Sequence, residues 1–204
     1  MLRTLFFVAF LGIAPAFHAA AQTPLRGVCI ILSVDGAGVV SASGVGSRPA
    51  EVGLGLGRNA TLRTEPGGRM ILQCDGDLRV VVGPDSEFVV LRIVEEAPQT
   101  FRLQMMQGIV GFIFGGGDTD AGVQVRTPSA VAAVRSTQWA MQVNDDSSAV
   151  FAREGTVFVF GETGTARLGP GDGVDVTADG TLGTVVQWGQ PRIDLFSELL
   201  GSAW

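Results

Sequence analysis

The chain has 204 residues, a net charge of −6 and 46% hydrophobic residues, a composition typical of a folded globular protein rather than a disordered one. All 14 basic residues are arginines, tyrosine is absent, and His18 is the single histidine. Without lysine the chain has no phosphate-loop lysine and forms no Schiff base. The acidic balance also argues against a nucleic-acid partner, because such binding needs clustered positive charge.

The first 21 residues have the three parts of a secretory signal peptide. Arg3 provides a positive start, the apolar run 5–17 follows, and residues 19–21 are alanines suited to cleavage. The run is shorter than the ~20 residues of a membrane span, so an uncleaved anchor is the weaker alternative. Cleavage after Ala21 would remove His18 and leave a mature chain without histidine or a membrane span. We therefore expect a periplasmic or secreted protein with a signal peptide (1–21), a β-domain (22–190) and a tail helix (191–204).

Cys29 and Cys74 are the two cysteines of the chain. In an oxidising compartment, a single pair of cysteines most simply forms one disulfide. Two buried free thiols are the main alternative, and a reactive thiol is a weaker one.

From residue 25 onward, short runs of Val, Ile, Leu and Phe are separated by turns that contain Gly, Pro, Asp or Asn. These runs predict strands at 28–34, 61–64, 69–73, 78–82, 87–95, 100–106, 109–114, 123–126, 139–143, 149–152, 156–160, 165–168, 174–176 and 184–188. Many short strands with glycine-bearing turns are typical of an all-β sandwich, roll or β-helix. Segment 41–50 lacks periodicity, and we interpret it as an inserted surface loop.

Two segments need a separate interpretation. Residues 156–160 form a continuous apolar run, which predicts a strand that is buried on both faces. Residues 129–141 are rich in alanine, but they contain the β-branched Val131 and Val134. They also follow a Thr-Pro pair that disfavours a helix entering there. We expect extended or turn-like structure in 129–141.

The C-terminal segment is the one that predicts a helix. After Pro191, the apolar positions fall on one helical face, and Trp204 ends the chain. Such a helix can pack on the β-domain or dock a partner. The candidate interaction residues are Phe196, Leu199, Leu200 and Trp204.

The acidic residues offer little support for catalysis. A hydrolase that uses two carboxylates needs neither histidine nor lysine, so a glycan-acting or glycan-binding protein is the alternative function. The candidate acids lie in or beside predicted turns: Asp75, Asp77, Asp85, Glu87, Glu95, Glu96 and Glu154. We interpret them as solvated turn carboxylates and predict no enzyme, no catalytic residue and no cofactor.

A metal site and a basic patch are equally poorly supported. The possible oxygen ligands for calcium are Asp118, Asp120, Asp145 and Asp146. They do not form a twelve-residue calcium loop, so we predict no metal site. From Arg58 to Arg102 the arginines recur at intervals of five to thirteen residues, which is typical of solvated strand faces rather than a basic patch.

The order of motifs between residues 52 and 176 resembles the FecR domain family. Its most specific piece is Val-Arg-Thr-Pro-Ser-Ala at 125–130 followed by Val-Arg-Ser-Thr at 134–137, where family members usually carry glycine in place of Ser136. A later Glu-Gly pair and a Leu-Gly-Pro-Gly-Asp turn at 168–172 continue the order. The residues that match the family motifs include Arg126, Thr127, Pro128, Arg135, Thr137, Glu154 and Gly155.

The resemblance implies a β-rich, non-catalytic domain outside the cytoplasm that senses or relays a signal by contact. No cytoplasmic segment precedes the expected signal peptide and no membrane helix follows it, so we expect a free-standing periplasmic module. Its partner would be a protein or a cell-envelope polymer. An envelope scaffold whose strands stack between copies is a further alternative.

Overall fold

The computed structural model describes residues 29–42, 44, 46–75, 77–94, 100–115, 122–135 and 137–204. The expected signal peptide, His18, Ser136 and the acidic residues 95, 96, 118 and 120 lie outside these residues. The described part forms seventeen β-strands and one α-helix, which confirms the all-β class. The elements are β1 (Cys29–Asp35), β2 (Gly38–Ala42), β3 (Gly46–Pro49), β4 (Gly55–Leu56), β5 (Ala60–Thr64), β6 (Arg69–Cys74), β7 (Leu78–Val82), β8 (Glu87–Val94), β9 (Thr100–Phe114), β10 (Gly122–Arg126), β11 (Val131–Val134), β12 (Thr137–Asn144), β13 (Ser147–Gly155), β14 (Val157–Gly161), β15 (Gly164–Leu168), β16 (Asp172–Val176), β17 (Val186–Gln187) and α1 (Gln190–Leu200).

The strands form two sheets that share β9. Sheet A has the order β4–β1–β6–β7–β9–β12–β13–β16–β17. Sheet B has the order β3–β2–β5–β8–β9–β10–β11–β14–β15. Neighbouring strands are antiparallel except β9 and β10, which run parallel. From β10 onward the chain adds two strands to one sheet and then two to the other, so the two sheets are built up together.

Strand β9 passes from sheet B to sheet A at Gly108. The sequence predicts two strands here, whereas the structure has one bent strand of 15 residues. Gly108 has φ 89°, and a Cβ at this position would lie 2.3 Å from the Ser86 Oγ. The Ser86 hydroxyl also accepts from the Ile109 amide at 3.0 Å and donates to the Ile109 carbonyl at 3.1 Å. The bend therefore needs glycine, and its polar groups are satisfied by one neighbouring serine.

The main hydrophobic core lies between the two sheets. Alternate residues of most strands point into it, as expected for strands with one inward face. Among its largest side chains, Phe112 stacks on Trp139 with ring centroids 4.5 Å apart. Cys29 and Cys74 face each other across β1 and β6 in this core and form the expected disulfide.

A second core lies on the outer face of sheet A, where α1 and the C-terminal tail cover the strands. It joins Phe151 of β13 to Trp188, Phe196, Leu200 and Trp204. The two tryptophan rings lie directly above glycines of the sheet. A Cβ on Gly111 would lie 2.4 Å from the Trp204 ring, so a larger residue would collide with the ring. A Cβ on Gly173 would likewise lie 2.0 Å from the Trp188 ring. Sheet A is therefore buried on both faces where α1 and the tail lie, at Val81, Ile109, Ala140 and Phe151.

Arginines fix the tail in place. The Arg69 side chain donates to the backbone carbonyls of Glu198 and Leu199 at the C-terminal end of α1, where a cation is favourable. The Arg153 guanidinium of β13 donates to the Trp204 carbonyl at 3.1 Å, and that of Arg192 donates to the Asp175 carboxylate of β16 at 2.9 Å. These contacts tie both ends of the tail to sheet A.

The disulfide gives a direct test of the fold. In the double variant Cys29→Ala/Cys74→Ala, the loss of a link between residues 45 positions apart should lower the free energy of unfolding by about 4 kcal/mol on the chain-entropy model. Urea unfolding monitored by tryptophan fluorescence measures this. Wild-type protein under reducing conditions should shift by a similar amount. An unchanged midpoint in both samples would show that the disulfide does not stabilise the fold.

The contact between Gly111 and Trp204 gives a second test. Gly111→Val should destabilise the protein by about 2 kcal/mol, because the added methyl groups collide with the indole ring. Trp204→Ala should cost about 3 kcal/mol by removing the ring. In the double variant, valine should cost much less than it does alone, and the double-mutant cycle measures this coupling. Ser202→Ala, at an exposed tail position, serves as the control. Additive effects would contradict the proposed contact.

Candidate functional site

The outer face of sheet B between β9 and β15 is not covered by any described element. Buried residues of these strands alternate with residues that point away from the core. The outward-pointing residues are Thr100, Arg102, Gln104, Met106, Gly122, Gln124, Arg126, Val131, Ala133, Arg135, Phe158, Phe160, Thr165 and Arg167. Four of these are arginines and none is acidic. We call this surface the arginine face.

The strand register aligns the residues of the arginine face in rows across the sheet. One row contains Arg102, Gln124, Ala133, Phe158 and Arg167, which are paired strand by strand from β9 to β15. With strands about 4.8 Å apart, the row is roughly 19 Å long. It therefore places one cation at each end and an aromatic ring between them.

A depression of about 740 Å³ lies on the arginine face. Gly122 and Ala133 are among the residues that line it, and their missing or short side chains leave space above the sheet. Arg102, Arg135 and Phe158 are among the residues around it. The volume falls within the range of pockets that bury a ligand, about 300–1,000 Å³.

Phe158 and Phe160 correct the sequence prediction for β14. The continuous apolar run predicts burial on both faces, but these rings are 42% and 43% exposed. The prediction was wrong because no described element covers the outer side of sheet B, whereas α1 covers that of sheet A. The sequence pattern is the same for a doubly buried strand and for a strand with an apolar exposed face.

The arginines are also less dispersed than the sequence suggests. Arg102, Arg126, Arg135 and Arg167 come from different segments, and strand pairing brings them to one face. Arg102, Arg126 and Arg135 form no ion pair with a described residue, and Arg167 donates to the Thr156 hydroxyl at 3.3 Å. Elsewhere the described arginines 63, 69 and 192 are paired with carboxylates. Among the described residues, three arginines of the arginine face therefore have no carboxylate partner, on a protein that is acidic overall.

The residues of the family motifs divide into buried and exposed groups. Thr127 is buried, and its hydroxyl accepts from the Ala130 amide at 2.9 Å and lies 2.7 Å from the Ser148 hydroxyl of sheet A. The Ser129 hydroxyl lies 2.7 Å from the same serine. These contacts anchor the β10–β11 hairpin to the opposite sheet.

The second motif follows the same division. The buried Thr137 hydroxyl donates to the Glu154 carbonyl, and Gly155 has φ 76° in the paired strand. Arg126 and Arg135, in contrast, are exposed on the arginine face. Pro128 lies exposed in the turn between β10 and β11. The sequence motifs include both arginines, but their spacing along the chain does not indicate that they share a surface.

The four candidate interaction residues of the tail lie against sheet A. Phe196, Leu200 and Trp204 are buried in the second core, and Leu199 is half-buried. This is the packing alternative of the sequence analysis. A partner that used these side chains would have to displace the tail from the sheet.

Several of the described aspartates lie in turns. Asp77, Asp85, Asp145 and Asp146 have positive φ, a conformation that aspartate tolerates in turns. Hydrogen bonds from the Thr177 hydroxyl and from Thr181 lower the pKa of the exposed Asp179 carboxyl below its ordinary value. Within the described residues, no group of three or more His, Cys, Asp or Glu side chains is placed to hold a metal ion.

The tryptophans bear on glycan binding, and the described helix bears on membrane crossing. All three tryptophans are buried, so they provide no exposed platform on which a sugar could stack. In the part of the chain that the structure describes, no helix is long and apolar enough to cross a bilayer.

Comparison with known proteins gives a family match over part of the chain and two structures of similar fold. Residues 60–158, just under half of the chain, match the family described as FecR protein. Two crystal structures from Parabacteroides distasonis, each described as a "putative anti-sigma factor", are similar in fold with TM-scores of 0.56 and 0.55. They are 16% and 17% identical to this chain and cover 66% of it, and the chain spans 62% of their length. No curated protein matches the sequence.

Proposed function

We propose that this chain, which matches the FecR family over residues 60–158, is a non-catalytic regulatory module of the cell envelope that acts by contact with another protein. The observation that carries this proposal is the arginine face, because it exposes two phenylalanines and four arginines on one side of a sheet. Exposed aromatic side chains and arginines are enriched at protein interfaces.

Several observations support a binding role over catalysis. Histidine and lysine do not occur after His18, and the described carboxylates considered as acids lie in or near turns. The space between the sheets is occupied by a core of buried hydrophobic side chains. The remaining open surface is suited to recognition.

The disulfide and the family match support a location in the cell envelope. A disulfide between two buried cysteines forms and persists in an oxidising compartment. The leader-like composition of residues 1–21 is consistent with export to the periplasm. The description of the similar structures as anti-sigma factors is consistent with a role in signalling.

Site-directed photo-crosslinking in the producing cells tests the proposal. Because the chain has no lysine, amine-reactive reagents are unsuitable, and a photoreactive residue should replace exposed apolar residues one at a time. Suitable positions are Leu32, Val52, Phe160 and Leu195. We expect a defined adduct with one envelope protein from at least one position, and a stable complex when the two purified proteins are mixed.

The same experiment can contradict the proposed function. If no position gives a protein adduct while the chain cosediments with purified peptidoglycan, the partner is an envelope polymer. Turnover of a glycan panel by the purified protein, abolished in Asp75→Asn or Glu154→Gln, would instead show an enzyme.

A further inference from the structure

We propose that the arginine face binds an acidic segment of the partner protein, with an apolar side chain of that segment seated in the depression above Gly122 and Ala133. This inference rests on the proposed function and adds the location and chemistry of the contact. It follows from the charge, the shape and the register of the face.

The charge of the face selects an acidic partner. Arg102, Arg126 and Arg135 form no ion pair with a described residue, although the protein as a whole has a net charge of −6. Outward-pointing positions from β9 to β15 include no described carboxylate that could compete for them. Carboxylates of a partner would form charge-assisted, bidentate hydrogen bonds with these guanidinium groups.

The shape of the face adds an apolar anchor. Ala133 lies directly opposite Phe158 in the paired strands, so a short side chain stands beside an exposed aromatic ring. A Cβ added at Gly122 would lie 3.5 Å from the Val134 carbonyl oxygen and 3.8 Å from the Thr100 hydroxyl, which are ordinary contact distances. The surrounding atoms would therefore accept a larger residue than glycine at this position. An apolar side chain that enters the depression would bury part of the Phe158 ring and remove apolar surface from water.

The spacing favours a protein segment over a lipid surface. Arg102 and Arg167 stand at the two ends of a row roughly 19 Å long, with neutral residues between them. Separated carboxylates on one segment can reach both ends, and an intervening apolar side chain can enter the depression. A bilayer surface binds side chains that protrude from a protein into it. A depression in the protein surface would stay unfilled against such a bilayer.

Variants of the face test the inference without touching the core. Arg102→Glu reverses one charge, and Ala133→Phe fills the depression from its floor. The matched control is Arg79→Glu, which makes the same charge change on the outer face of sheet A. Thermal unfolding should show all three to be folded, since the three positions lie outside the main core.

The probes are an array of twelve-residue synthetic peptides with four glutamates and two leucines in permuted positions, and a matched array with lysine in place of glutamate. For the best glutamate peptide, we expect Arg102→Glu and Ala133→Phe each to weaken binding about tenfold or more, and Arg79→Glu to change it less than about twofold. Binding should weaken as salt is added. Arg102→Glu should gain affinity for the corresponding lysine peptide.

Four results would overturn the inference. The first is the absence of any glutamate peptide that binds, and the second is equal binding by the face variants and wild type. The third is face-dependent binding of decanoate without peptide binding, and the fourth is face-dependent binding of phosphatidylglycerol vesicles without peptide binding. The photo-crosslinking experiment separates this failure from failure of the proposed function. A protein adduct from the Leu195 position and none from Phe160 would keep the proposed function and place the contact elsewhere.

Discussion

The bend of β9 at Gly108 is the constraint on which the rest of the molecule depends. Before the bend, β9 pairs with β8 and β10 in sheet B, and after it, with β7 and β12 in sheet A. One strand thereby contributes Phe101, Leu103 and Met105, and then Val110 and Phe112, to the same core. The positive φ, the lack of space for a Cβ and the Ser86 hydroxyl all act at this single residue. The bend therefore fixes how sheet A is oriented relative to sheet B at the strand that they share.

Both sheets have small residues on their outer faces that leave a hollow, but only the hollows of sheet A are filled by described side chains. In sheet A, glycines lie beneath large rings of the chain itself, Gly111 below Trp204 and Gly173 below Trp188. In sheet B, Gly122 and Ala133 leave a similar hollow next to Phe158, but no described side chain fills it. The hollows of sheet A are filled by tryptophan rings of the C-terminal segment, which belongs to the same chain. The described residues leave the hollow of sheet B open, and this open surface is the physical basis for assigning recognition to sheet B rather than to the tail.

Much of the fold could be predicted from local sequence because each strand is short and ends at a recognisable turn. Strand β7 has the predicted bounds, and the helix begins one residue before Pro191. The hairpin of β2 and β3 was missed because β3 is exposed along its whole length and carries no apolar pattern. The face of sheet B could not be predicted, because its rows depend on which distant strands pair. A continuous apolar run also does not reveal whether its second face is covered: Ile109 is buried on the outer side of sheet A, whereas Phe158 is exposed.

The family motifs acquire a different meaning once the two faces of a strand are separated. At 126–127, adjacent residues point to opposite sides, so Arg126 faces outward while Thr127 is held by Ala130 and Ser148. Arg135 stands at the end of β11, close to Thr137, whose hydroxyl is bonded to the Glu154 carbonyl. The buried hydroxyls thus fix the backbone from which the exposed arginines project. A rigid backbone limits the conformational freedom that arginine loses on binding, and preorganisation of this kind favours recognition. Treating the motifs as structural therefore accounts for the threonines, whereas the arginines are better explained by the surface that they form.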